Sequence, residues 1–428
     1  MNNKEKNAKK LEINSIILFL FMMGTNICNY LFQIFTGRLL SVRDYGIVNT
    51  LMSLIVYFSI PNSIISLLSA RYIALSQNMG SDDRTSSVIR LLLKCGAVIT
   101  LVIALAGLLF ADPIASLFNL NSRSLVYGCA AIAMINAATS VMYGILQGLQ
   151  FFLPYGIQGL INAACKLAGS ILLILLGYKA GGIIAAMVAG AILTILYCAF
   201  HIRRYLAAAV RYKGGNVVDL KDFFRFTLGM IIAQSSVTAL TNGDILLVKA
   251  LFDDSVAGTY SSAMVIGKIA MYVSTAVIAA LFPMVVEEHG KGHDTKKLFR
   301  KALLYGGGSS LAIALGMNLL GRHVIGFLFG QRYLEAIAYL PAVCMFVVPM
   351  TFLTIIMNYV LAIDRAGFFA ASVLVSAALI LAAVRFFHTD VVQVMTLCGG
   401  ILSLDTLMNL LFLSCAPRCP RKADGNAA

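Results

Sequence analysis

The sequence RLLSVRDYG at residues 38–46 has a counterpart, KALFDDSVAG, at residues 249–258. The two segments begin 211 positions apart, and their closing glycines are 212 apart. A second pair shares this offset, because the pattern Ile-x-x-Leu-Phe ends at Phe118 and again at Phe329. Each of these segments joins long apolar stretches. The repeat therefore predicts a chain built from two similar halves, an arrangement that is common among secondary transporters.

Apolar runs make up most of the chain. Of its 428 residues, 60% are hydrophobic and 12% are charged, which is too little charge to cover the surface of a soluble domain. Runs of about 20 apolar residues are long enough to cross a bilayer core of roughly 30 Å. The sequence predicts an all-α, polytopic membrane protein with 12 spans, at residues 13–35, 47–69, 93–111, 125–148, 154–177, 181–201, 226–250, 259–285, 303–321, 335–362, 367–387 and 391–414.

The distribution of basic residues predicts the orientation of these spans. An even number of spans places both termini on one side, and 23 of the 33 lysines and arginines fall on that side, against 8 on the other. By the positive-inside rule, we expect both termini to lie in the cytoplasm. The net charge of +14 is spread over separate loops, so it indicates contact with anionic lipid headgroups and no binding of nucleic acid.

The longest internal polar segment divides the chain in the middle. Residues 202–221 are rich in Arg, Lys and Gly, and they predict a basic cytoplasmic linker. The linker joins an N-terminal six-helix lobe, residues 1–201, to a C-terminal six-helix lobe, residues 222–428. We expect these two lobes to surround a central cavity.

The motifs of common enzymes are missing from the sequence. There is no GxxxxGK[ST] phosphate loop and no arrangement of Ser, His and Asp that indicates a nucleophilic centre. His289 and His293 are four residues apart, but glycines lie between them, and a solvated loop is the favoured interpretation over a metal site. An oligosaccharide polymerase would need a large outer loop, which the sequence lacks. We predict no enzyme activity, no cofactor and no metal.

Polar side chains recur at helical spacing inside five of the predicted spans. Asn26, Asn29, Tyr30 and Gln33 share one face of the first span, and Gln158, Asn162 and Lys166 follow steps of four in the fifth. Such stripes either join helices by hydrogen bonds or line a hydrated cavity. Five stripes over both halves favour the cavity. The candidate contacts for a sugar are therefore Asn26, Gln33, Gln158 and Asn162.

Four ionisable residues lie well inside predicted spans: Lys166, Asp244, Lys268 and Asp405. Such residues are expensive in a bilayer and indicate function by default. Lys166 has no acidic residue in the first six spans to pair with, so it is the first candidate for binding a phosphate, followed by Lys268. Asp244 and Asp405 are candidates for a coupling ion, with pairing to Lys268 as the alternative.

Two further basic residues belong to the repeat itself. Arg38 and Lys249 occupy matching positions near the predicted outer mouth. They are candidates for catching a diphosphate, and the alternative is that they anchor helix ends at the interface.

Four motifs follow one another along the chain. The first is the segment from Arg38 to Gly46. The other three are Leu146-Gln-Gly-Leu-Gln150, Asn242-Gly-Asp244 followed by Gly258-Thr-Tyr260-Ser-Ser-Ala263, and Leu328-Phe-Gly330-Gln-Arg-Tyr333. Taken in this order, they resemble bacterial polysaccharide flippases of the multidrug/oligosaccharidyl-lipid/polysaccharide exporter superfamily, in which the loop R-L-L-x-x-x-D-Y/F-G follows the first span.

The resemblance implies two six-helix lobes in a V shape and transport by alternating access. It implies that undecaprenyl-diphosphate-linked oligosaccharide moves from the cytoplasmic to the outer leaflet, with basic residues holding the diphosphate. H+ or Na+ is the expected coupling ion, and a monomer is the expected state. Lipid II flippases of this superfamily have 14 spans, against 12 here. A multidrug or organic-cation antiporter of the same fold is the main alternative. Two lysines face two aspartates inside the spans, and the extra basic residues at the rim, Arg38 and Lys249, favour an anion.

Overall fold

Helices cover all twelve predicted spans in the computed structural model of the chain. The structure describes residues 3–78, 82–120, 122–212, 214, 220–290, 293–363 and 366–415. The helices are α1 (Asn3–Leu39), α2 (Val42–Phe58), α3 (Ile60–Asn78), α4 (Asp82–Leu117), α5 (Arg123–Gly148), α6 (Phe152–Leu175), α7 (Lys179–Arg211), α8 (Leu220–Leu251), α9 (Asp254–Gly290), α10 (Lys296–Ala302), α11 (Gly308–Leu328), α12 (Leu340–Ala362), α13 (Ala366–Phe386) and α14 (Val391–Cys415).

Eight helical stretches in the described part of the chain are long and apolar enough to cross a membrane, or nine if α2 and α3 form one span. The helices α1, α8 and α9 cover the first, seventh and eighth predicted spans. The second predicted span is bent by 45° between α2 and α3. Pro61 explains the bend, because proline has no N–H to donate and its ring prevents the preceding helix from continuing. The break accordingly falls at Ser59.

The helix α7 continues well past the end of its predicted span. The sequence placed that end at residue 201, but the helix runs to Arg211, and its 33 residues are about 50 Å long at 1.5 Å each. Ile202 and Ala209, seven residues apart, are fully buried in a cluster with apolar residues of α3 and α4. The guanidinium of Arg90 in α4 donates to the carbonyl of Tyr212 and caps the helix end. Tertiary packing therefore extends this helix into the segment that the sequence assigned to the linker.

The chain divides into two compact units, Met1–Ser235 and Ser236–Ala428, and the boundary falls within α8. In the first unit, α6 packs between α1 and α7, and α5 packs against α3, α4 and α7. An apolar core of this unit lies where α3, α4, α5 and α7 meet, and it includes Ile65, Leu68, Leu92 and Ile145.

In the second unit, α12 is the central helix and packs against α9, α11 and α14. A π-helical turn, Leu303–Gly307, joins α10 to α11, and a 3₁₀ segment, Gln331–Tyr339, precedes α12. The ring of Phe352 lies against Gly307, where an added Cβ would come within 2.3 Å of the ring. The missing side chain of Gly307 in this π-helical turn therefore admits an aromatic ring from the neighbouring helix α12.

The two halves repeat in structure at the offset found in the sequence. The helix α4 ends at Leu117 and α11 ends at Leu328, which are 211 positions apart. Each helix is followed by one residue with left-handed backbone, Asn119 at φ 48° and Gly330 at φ 92°, again 211 apart. Asn and Gly are the residues that adopt this conformation at least cost. Both halves thus share a left-handed helix stop at this position, formed by Asn119 in the first half and by Gly330 of the Leu-Phe-Gly motif in the second.

Gly144 marks the closest approach of two helices in the first unit. A Cβ at this position would lie 2.2 Å from the Cβ of Ser69 and 2.4 Å from the carbonyl oxygen of Ser66. Because backbone atoms cannot move aside alone, we expect Gly144→Ala to lower the free energy of unfolding by about 2–3 kcal/mol. Thermal unfolding in detergent measures this change. Gly181→Ala is the matched control, since nothing lies within 4 Å of its Cβ position; equal unfolding temperatures for the two variants would contradict the prediction.

Candidate functional site

Lys166 lies in the middle of α6, half-buried and facing α1. Its ammonium donates a hydrogen bond to the Asn29 side-chain oxygen at 2.5 Å and lies 4.6 Å from the centre of the Phe32 ring. Both neighbours are neutral, and within the described part of the chain no carboxylate forms an ion pair with this lysine. The positive charge is therefore oriented but not neutralised, which suits the binding of an anion.

The other candidates of the first unit differ in their surroundings. Gln33 accepts a hydrogen bond from the Tyr45 hydroxyl at 3.1 Å. Gln158, on the same helix as Lys166, is 5% exposed, and its side-chain oxygen accepts no hydrogen bond. Asn162 is half-buried, whereas Asn26 and Arg38 are exposed. The structure thus brings Asn29 and Lys166 into direct contact, and it places a buried amide, Gln158, two turns before that lysine.

Lys249 is buried, although the sequence placed it near an outer mouth. Its side chain is 1% exposed, and its ammonium forms an ion pair with Asp254 in the first turn of α9. The Asp254 side chain is itself only 10% exposed. The chain folds back after α8, which brings a carboxylate five residues later onto the lysine. This contact agrees with the second interpretation of Lys249, in which the lysine anchors a helix end.

Asp244 and Lys268 lie next to each other in the second unit, between α8 and α9. The Lys268 nitrogen is 3.9 Å from Oδ1 of Asp244, and the Tyr260 hydroxyl donates to Oδ2 at 3.0 Å. The side chain of Asp244 is 0% exposed, and that of Lys268 is 15% exposed. Of the two alternatives for Asp244, the structure contains the pairing with Lys268.

Asp405 forms a separate polar cluster between α13 and α14. The Asn409 side chain donates to Asp405 Oδ1 and to the Ser372 hydroxyl, both at 2.8 Å. The second carboxylate oxygen, Oδ2, is buried and has no hydrogen-bond partner within 3.5 Å, while the hydroxyls of Ser372 and Ser376 also interact with this carboxylate. Asp405 is 2% exposed, and no ion pair reaches it from any residue that the structure describes. Its charge therefore has polar neighbours but no counter-ion, which suits the uptake of a proton or a small cation.

The loop motif after α1 has a structural role at its aspartate. The Ser41 hydroxyl donates a hydrogen bond to the Asp44 carboxylate at 2.7 Å. The backbone N–H of Asp44 donates in turn to the Ser41 hydroxyl oxygen, so Ser41 caps the start of α2. Its carboxylate also lies 3.1 Å from the ammonium of Lys179, at the start of α7. The motif therefore fixes a helix start and joins two helices of the first unit.

Three neighbours of the candidate residues were not predicted as site residues. Phe32 directly precedes Gln33, but an aromatic side chain in an apolar helix is too common to indicate a binding site. Asn409 lies four residues after Asp405, so helical spacing could have identified it. Tyr260 belonged to a recognised motif, but its hydroxyl partner sits on the preceding helix and leaves no trace in the periodicity.

Metal ligands do not cluster in the described ranges, where no group of three or more His, Cys, Asp or Glu side chains could hold a metal ion. His293 contacts Glu288, with 2.7 Å between Nδ1 and Oε2. The side chain of His289, the other member of the predicted pair, lies outside the described residues.

Apolar helices of membrane length, with ionisable side chains buried among them, indicate a multi-pass membrane protein. The structure is similar to a multidrug resistance MATE family transporter of the MOP superfamily in its inward-facing conformation, with a TM-score of 0.74 and 15% identity over 93% of this chain and 96% of that chain. It is similar to the lipid II flippase MurJ in an inward closed conformation, with a TM-score of 0.66 and 14% identity over 94% of this chain and 88% of that chain. These likenesses confirm the predicted fold.

The sequence itself matches the family of polysaccharide biosynthesis proteins, over residues 12–289. This is more than half of the chain, and the protein belongs to that family. The resemblance carried by the four motifs is thereby confirmed. No curated protein matches the sequence.

Proposed function

We propose that this protein moves an undecaprenyl-diphosphate-linked oligosaccharide across the bacterial cytoplasmic membrane by alternating access. The observation that carries the proposal is Lys166, an intramembrane ammonium with neutral neighbours in the described part of the chain. A buried charge of this kind needs a counter-ion, and the diphosphate of a lipid carrier supplies one inside the membrane. Membership of a polysaccharide biosynthesis family supports the same substrate class.

The chemistry of the remaining candidates assigns the basic residues to the diphosphate and the amides to the sugar. Lys268 provides a second ammonium, in the other unit, and its partial exposure leaves it within reach of a substrate. Amides bind sugar hydroxyls, and the buried Gln158 has an oxygen without a hydrogen bond. Asn26, Gln33 and Asn162 are further sugar contacts. Arg38 is exposed and suits the capture of a diphosphate, whereas Lys249, in its buried ion pair with Asp254, is the weaker candidate of the two.

Asp405 is the stronger of the two candidates for a coupling ion. No ammonium forms an ion pair with its carboxylate among the residues that the structure describes, whereas the Lys268 nitrogen lies 3.9 Å from Asp244. Uptake of H+ or Na+ by Asp405 removes the cost of a buried charge, and its release restores that cost. Transport proceeds without covalent chemistry, in a monomer of two six-helix lobes with both termini in the cytoplasm.

A multidrug or organic-cation antiporter is the second candidate, and the same carboxylate favours it. A cationic drug would bind Asp405 or Asp244, and a multidrug transporter is among the similar structures. The two candidates differ in the sign of the substrate charge. Lys166 favours an anion, because nothing near it in the described residues offsets its charge.

The decisive experiment measures which leaflet exposes the substrate. Undecaprenyl-diphosphate-linked oligosaccharide is placed in vesicles with and without the purified protein, and a lectin or hydrolase outside the vesicles reports leaflet exposure. We expect protein-dependent movement, accelerated by a proton or sodium gradient in the wild type but not in Asp405→Asn. Absence of movement, together with gradient-driven efflux of a cationic dye, would replace the flippase proposal by the antiporter.

A further inference from the structure

A buried tyrosine hydroxyl holds the side chain at one repeat position in each half. Gln33 and Asp244 are 211 positions apart, the offset of the repeat. Gln33 accepts from Tyr45 at 3.1 Å, and Asp244 accepts from Tyr260 at 3.0 Å. Both tyrosines are 0% exposed, and each belongs to the helix after its acceptor. In both halves, therefore, a tyrosine hydroxyl fixes the side chain at this repeat position. That side chain is a neutral amide, Gln33, in the first half and an ionisable carboxylate, Asp244, in the second.

Asp244, the ionisable member of this pair of positions, is held firmly by Tyr260 and only loosely by Lys268. The Tyr260 hydroxyl lies 3.0 Å from both Asp244 Oδ2 and the sulfur of Met395, so it is fixed on two sides. Lys268 approaches the other oxygen, Oδ1, only to 3.9 Å, and this oxygen accepts no hydrogen bond. Asp244 is thus anchored by the tyrosine, whereas the ammonium is near enough to attract it but is not bonded to it.

The exposure of the two side chains points to the one that can move. Asp244 is completely buried, and Lys268, on a flexible four-carbon stem, is 15% exposed. Tyr260, and Met395 of α14 beyond it, are neutral groups. Among the described neighbours, Lys268 is therefore the single charge whose position can respond to a ligand.

We propose that Asp244 and the substrate diphosphate compete for Lys268, and that Tyr260 is a positioning residue that holds Asp244 while the ammonium is away. This inference rests on the proposed function and adds the step that follows binding. Bound substrate recruits the ammonium, and departure of the substrate returns it to Asp244. The pair therefore resets the empty transporter, because a buried carboxylate without its partner is costly.

Binding of farnesyl diphosphate to the full chain in detergent tests the competition, with farnesol as the uncharged control ligand. Asp244→Asn removes the competitor and is expected to bind farnesyl diphosphate about tenfold more tightly than the wild type. Tyr260→Phe lets the Asp244 carboxylate turn toward the Lys268 ammonium. This variant is expected to bind farnesyl diphosphate several-fold more weakly than the wild type. In the double variant, the tyrosine effect should vanish, because its acceptor is no longer a competitor. Lys268→Gln should lose the response to Asp244→Asn.

Tyr359→Phe is the matched control, since this hydroxyl contacts Thr295 and lies on a different helix from the pair. Its affinity should equal that of the wild type. No binding of farnesyl diphosphate by the wild type would reject the proposed substrate class and the competition with it. Wild-type binding that Asp244→Asn leaves unchanged or weakens would reject the competition alone. Equal weakening by Tyr260→Phe in both backgrounds would show that the tyrosine only supports the fold.

Discussion

Lys166→Ala is expected to slow flipping of the lipid-linked oligosaccharide by about 10- to 100-fold. A hydrogen bond from a charged donor is worth about 1.5–3 kcal/mol, and this lysine offers its charge to a phosphate at no cost from a competing carboxylate. Lys166→Arg should retain most of the rate. The measurement is leaflet exposure in reconstituted vesicles at equal amounts of folded protein. Lys94→Ala, which removes an exposed lysine, is the control.

A second substitution separates binding by Lys166 from a structural role. Asn29→Asp replaces the oxygen that Lys166 contacts by a carboxylate of the same size. The variant should be at least as stable as the wild type, since it turns a hydrogen bond into an ion pair. It should nevertheless flip as slowly as Lys166→Ala, because the new carboxylate occupies the ammonium. Normal flipping by Asn29→Asp would remove Lys166 from the substrate site.

Periodicity and hydropathy predicted the helices of this fold because both are local properties of the chain. Each predicted span falls on a helix, and the offset of 211 reappears in the helix stops at Asn119 and Gly330. The limits of α7 were less accurate. Hydropathy ends near residue 201, but burial of Ala209 and the cap from Arg90 extend the helix. Contacts between distant segments decide such ends, and a single sequence does not list them.

The sequence identified the ionisable candidate residues but not the side chains that they contact. Charge inside an apolar run identified Lys166, Asp244, Lys268 and Asp405 without structural help. Their partners required the alignment of one helix against another, such as α1 against α6 for Asn29 and Lys166. A shift of a single residue along either helix would present a different side chain, so the sequence left the pairing of Lys268 open.

Lys249→Met is expected to destabilise the second unit by about 3–5 kcal/mol, the usual cost of leaving one member of a buried ion pair alone. The lysine is 1% exposed and Asp254 is 10% exposed, so water cannot replace the missing ammonium. Thermal unfolding in detergent, followed by size-exclusion chromatography, should show a fall of about 10 °C. Lys179→Met is the matched control. Its ion pair with Asp44 is 69% exposed on the lysine side and is worth less than about 1 kcal/mol.

Removing both charges should restore most of this loss. In Lys249→Met/Asp254→Asn, the remaining amide at the start of α9 is neutral, so no uncompensated charge is left buried. The double variant is therefore expected to unfold well above the single variant. If the single variant unfolds at the wild-type temperature, Lys249 is not needed to hold the helix junction. That result would keep Lys249 among the candidates for binding the diphosphate, as its repeat position indicated. If the double variant is as unstable as the single one, lost packing of the lysine stem outweighs the charge.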